Sequence, residues 1–219
     1  MPEALFDEEQ AFDTNVRRCA LVLCRTEHGN LHLGLLHRSQ SGQAAVLHLG
    51  WLDYLDIRWP WPRLWVCPDA EPEKLMSAAG HCRRIWTRFQ QDKTFPYALG
   101  DFASSFDARG RLVLAPGSKG LTCATFAMAV FRAAGVELVL EEGWPIRVEQ
   151  DVQWLRALAG LAKPDHLAVL TEQVESGVAR VHPHELLAAC TLTPLPVAFS
   201  QVPLVAEAVV AKLDAAVAR

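Results

Sequence analysis

The sequence lacks both a long apolar segment and a cluster of basic residues along the chain. A transmembrane helix needs roughly 18 uninterrupted apolar residues, and no stretch of the chain reaches that length. The formal net charge is −4, and the lysines and arginines are scattered. Proteins that bind nucleic acid or anionic membranes usually carry a basic patch. We therefore expect no membrane span and no nucleic-acid partner.

Targeting signals and metal motifs are absent as well. Residues 1–10 are acidic and carry neither the basic nor the apolar region of a signal peptide, so we expect a cytoplasmic protein. The six cysteines include no C-x-x-C pair, which argues against a zinc ribbon and against a disulfide framework. We expect mostly reduced cysteines, no bound metal and no cofactor.

A metal protein stays open as an alternative. Among the histidines and cysteines, the tight pairs are His81 with Cys82 and His182 with His184. Neither pair has further ligands at a recognisable spacing, and the H-E-x-x-H motif is missing. Metal analysis of the purified protein would decide between the two interpretations.

Strands are predicted in the first part of the chain and helices after them. Short apolar runs separated by turn signals predict a sheet of antiparallel strands. These runs lie at residues 18–25, 31–38, 44–51 and 64–67. Residues 52–58 are ambiguous, because they can extend the third strand, form a strand of their own or turn into a helix.

Apolar residues at a helical period, often after a proline or acidic start, predict the helices. They lie at residues 71–91, 123–134, 150–160, 162–176, 183–190 and 203–219, and the first has an apolar face and an arginine-rich face. We predict an α+β fold, with an antiparallel sheet packed against helices. The length of 219 residues predicts a single domain over 1–219, with a core at about 17–140 and a C-terminal helical extension at about 141–219.

A glycine-rich loop runs into a helix that begins with a cysteine. Thr122 is a good N-cap residue, Cys123 follows it, and Gly135 ends the segment. The positive end of the helix dipole and the unpaired N–H groups of the first turn favour a thiolate. This placement makes Cys123 a candidate nucleophile, with a buried structural thiol as the alternative.

Among the eight histidines, His48 has the least ordinary surroundings. It interrupts the strand 44–51, which is otherwise apolar on both faces. A buried imidazole costs free energy unless it finds a hydrogen-bond partner. His48 is therefore a candidate general base, with a core histidine bonded to a backbone carbonyl as the alternative.

Together these features resemble the circularly permuted members of the NlpC-type, papain-like cysteine amidases (the YaeF/YiiX-like group). The resemblance lies in Gly120-Leu121-Thr122-Cys123-Ala124-Thr125-Phe126, in Arg132-Ala133-Ala134-Gly135, and in the strand histidine His48. In papain-like enzymes the cysteine heads a helix packed on the sheet and the histidine comes from a strand. The permuted group has the histidine before the cysteine, as here. The resemblance covers residues 17–140 and implies a permuted papain-like fold.

The resemblance also implies a third polar residue on the strand after the histidine, which fixes the orientation of the imidazole. Asp53 and Asp56 are the candidates, and solvated acids in a connection are the alternative. Trp51, Trp59 and Trp61 are close to His48 in sequence and are candidates for lining an acyl or peptide groove, with a role in the core as the alternative.

The implied function is a cysteine-dependent amide hydrolase, that is, an amidase or peptidase. His48 takes the proton of Cys123, the thiolate attacks a carbonyl of a peptide or of a small acyl or amide substrate, and backbone N–H groups stabilise the oxyanion. An acyltransferase or thioesterase with the same pair remains an alternative. So does a catalytically inactive papain-like binding module. The sequence makes no prediction of oligomeric state.

Overall fold

A computed structural model describes residues 19–50, 54–58, 64–92, 94–160 and 162–217. Within these ranges, no helix combines the length and the apolar composition that crossing a bilayer requires.

The main sheet has five strands in the described residues, each antiparallel to its neighbours, in the order β4-β3-β2-β1-β5. The strands are β1 (Ala20–Arg25), β2 (Leu31–Arg38), β3 (Ala44–Gly50), β4 (Tyr54–Arg58) and β5 (Leu64–Val66). The ambiguous segment 52–58 thus contains a separate strand, β4, which pairs with β3. The prediction of an α+β fold with an antiparallel sheet is confirmed.

Both faces of this sheet are buried, which explains why its strands are apolar runs rather than alternating sequences. Leu33, Leu35, Leu47 and Leu49 belong to the large core that includes the helices. Val22, Leu36 and Val46 alternate with such residues and form a second apolar cluster on the opposite face. A strand that is buried on both faces therefore has mostly apolar residues, and the histidines within β2 and β3 are the exceptions.

Helices follow the sheet in the chain and cover one of its faces. They are α1 (Pro72–Phe89), α2 (Cys123–Ala133), α3 (Val148–Leu158), α4 (Pro164–Glu175), α5 (Pro183–Ala189) and α6 (Pro203–Val217). A small hairpin of β6 (Ser105–Phe106) and β7 (Leu112–Val113) lies between α1 and α2. The core cluster extends without a break from Cys19 in the sheet to Leu213 in α6. The C-terminal helices therefore share the core of the sheet.

Helix α1 separates an apolar face from a basic one. Pro72 is in its first turn, and Leu75, Cys82 and Ile85 are among its buried residues. Arg84 and Arg88, one turn apart, are exposed. Burial of the apolar stripe fixes how the helix lies on the sheet and turns its arginines outward.

Candidate active site

Cys123 is the first residue of α2, as the sequence predicts, and Thr122 caps the helix. The Thr122 Oγ1 accepts a hydrogen bond from the Thr125 backbone N–H at 3.2 Å, and the Thr122 N–H donates to the Thr125 Oγ1 at 2.8 Å. This reciprocal pair satisfies two backbone donors of the first turn. The start of the helix is therefore fixed at Cys123.

The loop before the cysteine lies against the segment that follows α1. The Leu121 N–H donates to the Pro96 carbonyl at 3.0 Å. A Cβ atom at Gly120 would lie 2.5 Å from the same carbonyl oxygen. Glycine at this position permits the close approach of the two segments, which positions the N-terminus of α2.

The thiol of Cys123 is buried, with only 6% of the residue exposed. Burial raises the pKa of the Cys123 thiol, although the backbone N–H of Leu33, the charge of Arg180 and the N–H groups of Ala124 and Cys123 act in the opposite direction. The helix N-terminus does favour the thiolate, as we expect from the sequence, but desolvation outweighs it. The buried thiol therefore needs a base if it is to act as a nucleophile.

The sulfur of Cys123 contacts strand β2. The Leu33 backbone N–H acts on the thiol as a hydrogen-bond donor. The pairs that join β2 to β3 run from Leu35 to Arg38, so Leu33 lies beyond this ladder. Its neighbour in the chain, His32, lies at the same end of β2, but its side chain leaves the strand on the opposite face.

His32 and His48 form a hydrogen-bonded pair of imidazoles. The His32 Nε2 lies 3.0 Å from the His48 Nδ1, and the two rings meet edge to face at an interplanar angle of 86°. Both residues are buried, with 4% and 6% exposed. Such a bond fixes the orientation of both rings.

Gly34 makes room for this pair. Gly34 lies on β2, which is flanked by β1 and β3. A Cβ atom there would overlap Val46 Cγ1 and would lie 3.3 Å from His48 Cβ. Because Val46 and His48 both approach Gly34 on the side where a Cβ would project, their side chains share one face of the sheet. A side chain at position 34 would displace Val46 and crowd His48.

Strand β4 brings Asp56 beside His48. The two residues are directly paired in the register of β3 and β4, so their side chains leave the sheet on the same face. Asp56 therefore occupies the strand after the histidine, where we expect a third polar residue. Asp53, Trp51, Trp59 and Trp61, the other candidates from the sequence, lie outside the described residues.

His32 is the site residue that the sequence analysis misses. Like His48, His32 interrupts an apolar strand, β2, and its buried imidazole needs a partner. The structure brings His48 to His32, on the face of the sheet that carries Val22, Leu36 and Val46. It does not bring either imidazole to Cys123, which belongs to the core on the helix side and contacts Leu33, because successive residues of a strand point to opposite faces.

Tyr97 and Arg180 are electrostatically linked to Cys123. Burial raises the pKa of the Tyr97 phenol, and negative charge on Cys123 raises it further. Arg180 lowers the pKa of the Cys123 thiol. The Arg180 guanidinium is held by Asp151 at 2.7 Å (Nη1 to Oδ1) and lies 3.8 Å from the centre of the Trp154 ring. The site thus has a fixed positive charge close enough to stabilise a thiolate.

One group in the described part of the chain has the spacing of metal ligands: His182, His184 and Glu185, with one ligand atom from each within 4.8 Å of the others. Glu185, however, accepts hydrogen bonds from Arg147 Nη2 at 3.0 Å and from the His182 N–H at 2.8 Å. A divalent ion would have to compete with the arginine for this carboxylate. The arrangement fits an ion-pair network better than a metal centre.

Comparisons with known proteins assign no family: no protein-family model, no curated protein and no solved structure matches the chain.

Proposed function

We propose that the chain is a cysteine-dependent amide hydrolase, an amidase or peptidase, in which Cys123, His32 and His48 act together. The observation that carries the proposal is the thiol at the start of a capped helix, where the Leu33 N–H and the charge of Arg180 favour the thiolate. The hydrogen-bonded pair of His32 and His48 lies on the other face of strand β2. A nucleophile, a base and a group that orients the base are the parts that this chemistry requires. The base is His32, and His48 orients it.

The first step is proton transfer from the thiol. His32 leaves β2 on the face opposite Cys123, so our assignment requires the end of β2 beyond its ladder with β3 to turn. His32 then donates its Nε2–H to the His48 Nδ1, and the His32 Nδ1 takes the proton of Cys123. The pair formed is a thiolate and an imidazolium, and the imidazolium is stabilised by its bond to His48. The carboxylate of Asp56, paired with His48 across the strands, adds a negative charge that favours this state.

The second step is attack of the thiolate on the carbonyl carbon of an amide. The carbon–sulfur bond forms as the carbonyl π bond opens, and the N–H groups at the start of α2 stabilise the oxyanion. His32 then gives its proton to the leaving amine as the carbon–nitrogen bond breaks. Water hydrolyses the acyl-enzyme with His32 again as the base, which restores the thiol.

The fold we propose is the permuted papain-like, NlpC-type arrangement. Three observations support it: the histidine strand precedes the cysteine helix in the chain, the helix begins at the cysteine, and the sheet is antiparallel. An acyltransferase or thioesterase would use the same three residues, because the acceptor of the acyl group and not the nucleophile distinguishes these activities.

A catalytically inactive binding module is the second candidate. It is favoured by the burial of Cys123, by the raised pKa of its thiol, for which burial is the main cause, and by the position of the histidine pair on the opposite face of the sheet. A buried thiol without a functioning base is inert. The two candidates therefore differ in whether His32 can deprotonate Cys123.

Alkylation with iodoacetamide across the pH range tests this difference. In a hydrolase, Cys123 is alkylated in mildly acidic solution through the thiolate–imidazolium pair, and His32→Ala removes this reactivity. Cys67, which is half-buried, serves as the internal reference thiol, and His28→Ala, in an exposed turn, controls for removal of a histidine. If Cys123 reacts no faster than Cys67 in acid and His32→Ala has no effect, the binding module is the better description.

A further inference from the structure

The exposed face of α1 forms an arginine groove with the β6–β7 turn and the β2–β3 turn. The residues that line it are Gln40, Gly80, Arg83, Arg84, Thr87, Arg88 and Arg109. We propose that this groove binds the phosphate groups of a small phosphorylated molecule. The proposal does not depend on the function of Cys123.

The groove concentrates positive charge from four arginines. Within the described ranges, no ion pair joins Arg83, Arg84, Arg88 or Arg109 to a carboxylate. Asp107, on the turn beside the groove, is already occupied, because it accepts from Arg111 Nε at 2.7 Å and from the Arg109 N–H at 2.8 Å. Like charges one helical turn apart repel each other. A bound anion would remove this repulsion.

Gly80 leaves the floor of the groove open. It lies in the interior of α1, where glycine is less stable than alanine by roughly 1 kcal/mol. A Cβ atom there would lie 3.2 Å from Arg84 Nη1 and 3.8 Å from Arg83 Nη2. Both guanidinium groups therefore lie side by side over the backbone of Gly80. Two neighbouring guanidinium groups can donate hydrogen bonds to different oxygens of one phosphate.

Backbone contacts hold Arg83 and Arg109 at the groove. Arg83 Nη1 donates to the Arg38 carbonyl at 3.1 Å, which ties it to the end of β2. Gly110, with φ of +73°, lies so close to α1 that a Cβ atom would be 2.9 Å from the Arg84 carbonyl carbon. This contact fixes the β6–β7 turn on the helix and places Arg109 at the rim.

A second cavity continues the groove. It shares Gln40, Arg83 and Thr87 with the first and extends to Trp86 and the serines of the β2–β3 turn. The two cavities measure about 540 and 480 Å³, within the range of small-molecule sites. Phosphate groups fit the arginine end, and the aromatic and hydroxyl groups beyond fit an uncharged organic part.

The size and overall charge favour a small ligand over a nucleic acid. The whole chain has a net charge of −4, so a long polyanion that leaves the groove meets a surface that repels it. A small molecule with one to three phosphates is attracted by the arginines of the groove and does not extend onto the repelling surface.

Titration calorimetry of the full chain with pyrophosphate, ATP and adenosine tests the proposal. We expect pyrophosphate and ATP to bind, ATP more tightly, and adenosine to bind at least a hundredfold more weakly than ATP. Arg84→Ala and Arg88→Ala should each weaken ATP binding by about tenfold, since each removes a charge-assisted hydrogen bond. Arg156→Ala, an exposed arginine on α3, is the matched control and should bind as the unchanged chain does.

Gly80→Ala separates binding from stability. Alanine should make α1 more stable, since it has the higher helix propensity, yet its methyl group should crowd the two guanidinium groups and weaken ATP binding several-fold. The proposal is overturned if pyrophosphate and ATP do not bind, or if the arginine variants bind as tightly as the Arg156 control. It is also overturned if a single-stranded oligonucleotide binds tighter than ATP and loses its affinity in the same variants, since the site would then take a polymer.

Discussion

The His32 Nε2 lies 3.0 Å from the His48 Nδ1, and the two imidazoles meet edge to face on neighbouring strands. Two ring nitrogens at this distance share one proton, so one ring donates and the other accepts. In a neutral pair, the tautomer of each ring follows from which ring donates. In the proposed hydrolase this bond orients His32, which reaches Cys123 only when the end of β2 turns.

Replacement of each histidine should affect catalysis to a different degree. His32→Ala removes the base, so we expect acylation of Cys123 by p-nitrophenyl acetate to slow by about a thousandfold, within the usual range of general-base effects. His48→Ala leaves a base that is poorly oriented, and we expect a loss of about a hundredfold.

The pH profile distinguishes orientation from a general loss of structure. His48→Gln can still accept a hydrogen bond from His32, so it should recover part of the rate and shift the acidic limb of the profile. Equal rates for His48→Ala and the unchanged chain, with His32→Ala inactive, would remove His48 from the site.

Gly34→Ala should destabilise the fold where the two histidines meet. The new methyl group overlaps Val46 Cγ1 and crowds His48 Cβ, and overpacking of a core typically costs about 1–3 kcal/mol of unfolding free energy. Urea denaturation measures this loss. Gly160→Ala is the matched control, because no atom lies within 4 Å of the added Cβ, and its unfolding free energy should stay within about 0.5 kcal/mol of the original.

Local sequence patterns are sufficient to predict the strands, the helices and the position of Cys123 at a helix start. They are not sufficient to predict the partner of His48. That contact depends on the register of β2 against β3, in which Leu35 pairs with Leu47, and a slip of one residue would move an imidazole to the other face of the sheet. The sequence likewise leaves residues 52–58 ambiguous, because only pairing with β3 makes Tyr54–Arg58 a strand.

The pKa of Cys123 illustrates a second limit. The sequence predicts the helix N-terminus, and its N–H groups lower the pKa of the Cys123 thiol, as expected. The burial that outweighs it depends on how tightly the rest of the chain packs around the thiol. Arg180, which lowers the pKa of the same thiol, is far from it in sequence and reaches it only through the tertiary fold.

The stability of the protein should fall in acid because of His37. This residue is fully buried on β2, and desolvation lowers its pKa to about 4, with the charge of Arg83 acting in the same direction and the Leu35 carbonyl opposing it. The unfolded chain binds a proton near the ordinary pKa of histidine, whereas the folded chain does not. The contribution of His37 to the free energy of unfolding is therefore fully present above the ordinary pKa of histidine. It is lost as the pH falls from there toward about 4.

The expected loss from His37 alone is about 2 kcal/mol of unfolding free energy between about pH 7 and pH 5. Urea denaturation at several pH values measures it. His37→Leu cannot titrate, so its loss over the same interval should be smaller by about that amount, whereas His28→Ala, in an exposed turn, should follow the original curve. If the unfolding free energy of His37→Leu depends on pH as in the original chain, other groups cause the acid sensitivity. His184 is one such group, because burial lowers its pKa to about 4.

Thr122 couples the stability of α2 to the reactivity of Cys123. Thr122→Ala removes the side chain that caps the helix, which typically costs about 1 kcal/mol of unfolding free energy. It also frees the first turn to fray, so the N–H groups that favour the thiolate are no longer held on the sulfur, and alkylation of Cys123 at mildly acidic pH should slow. Thr122→Ser keeps the hydroxyl and should retain both properties, as measured by urea denaturation and by mass spectrometry of the labelled peptide. If Thr122→Ala loses stability while Cys123 reacts at its original rate, the helix start contributes to the fold and not to the chemistry of the thiol.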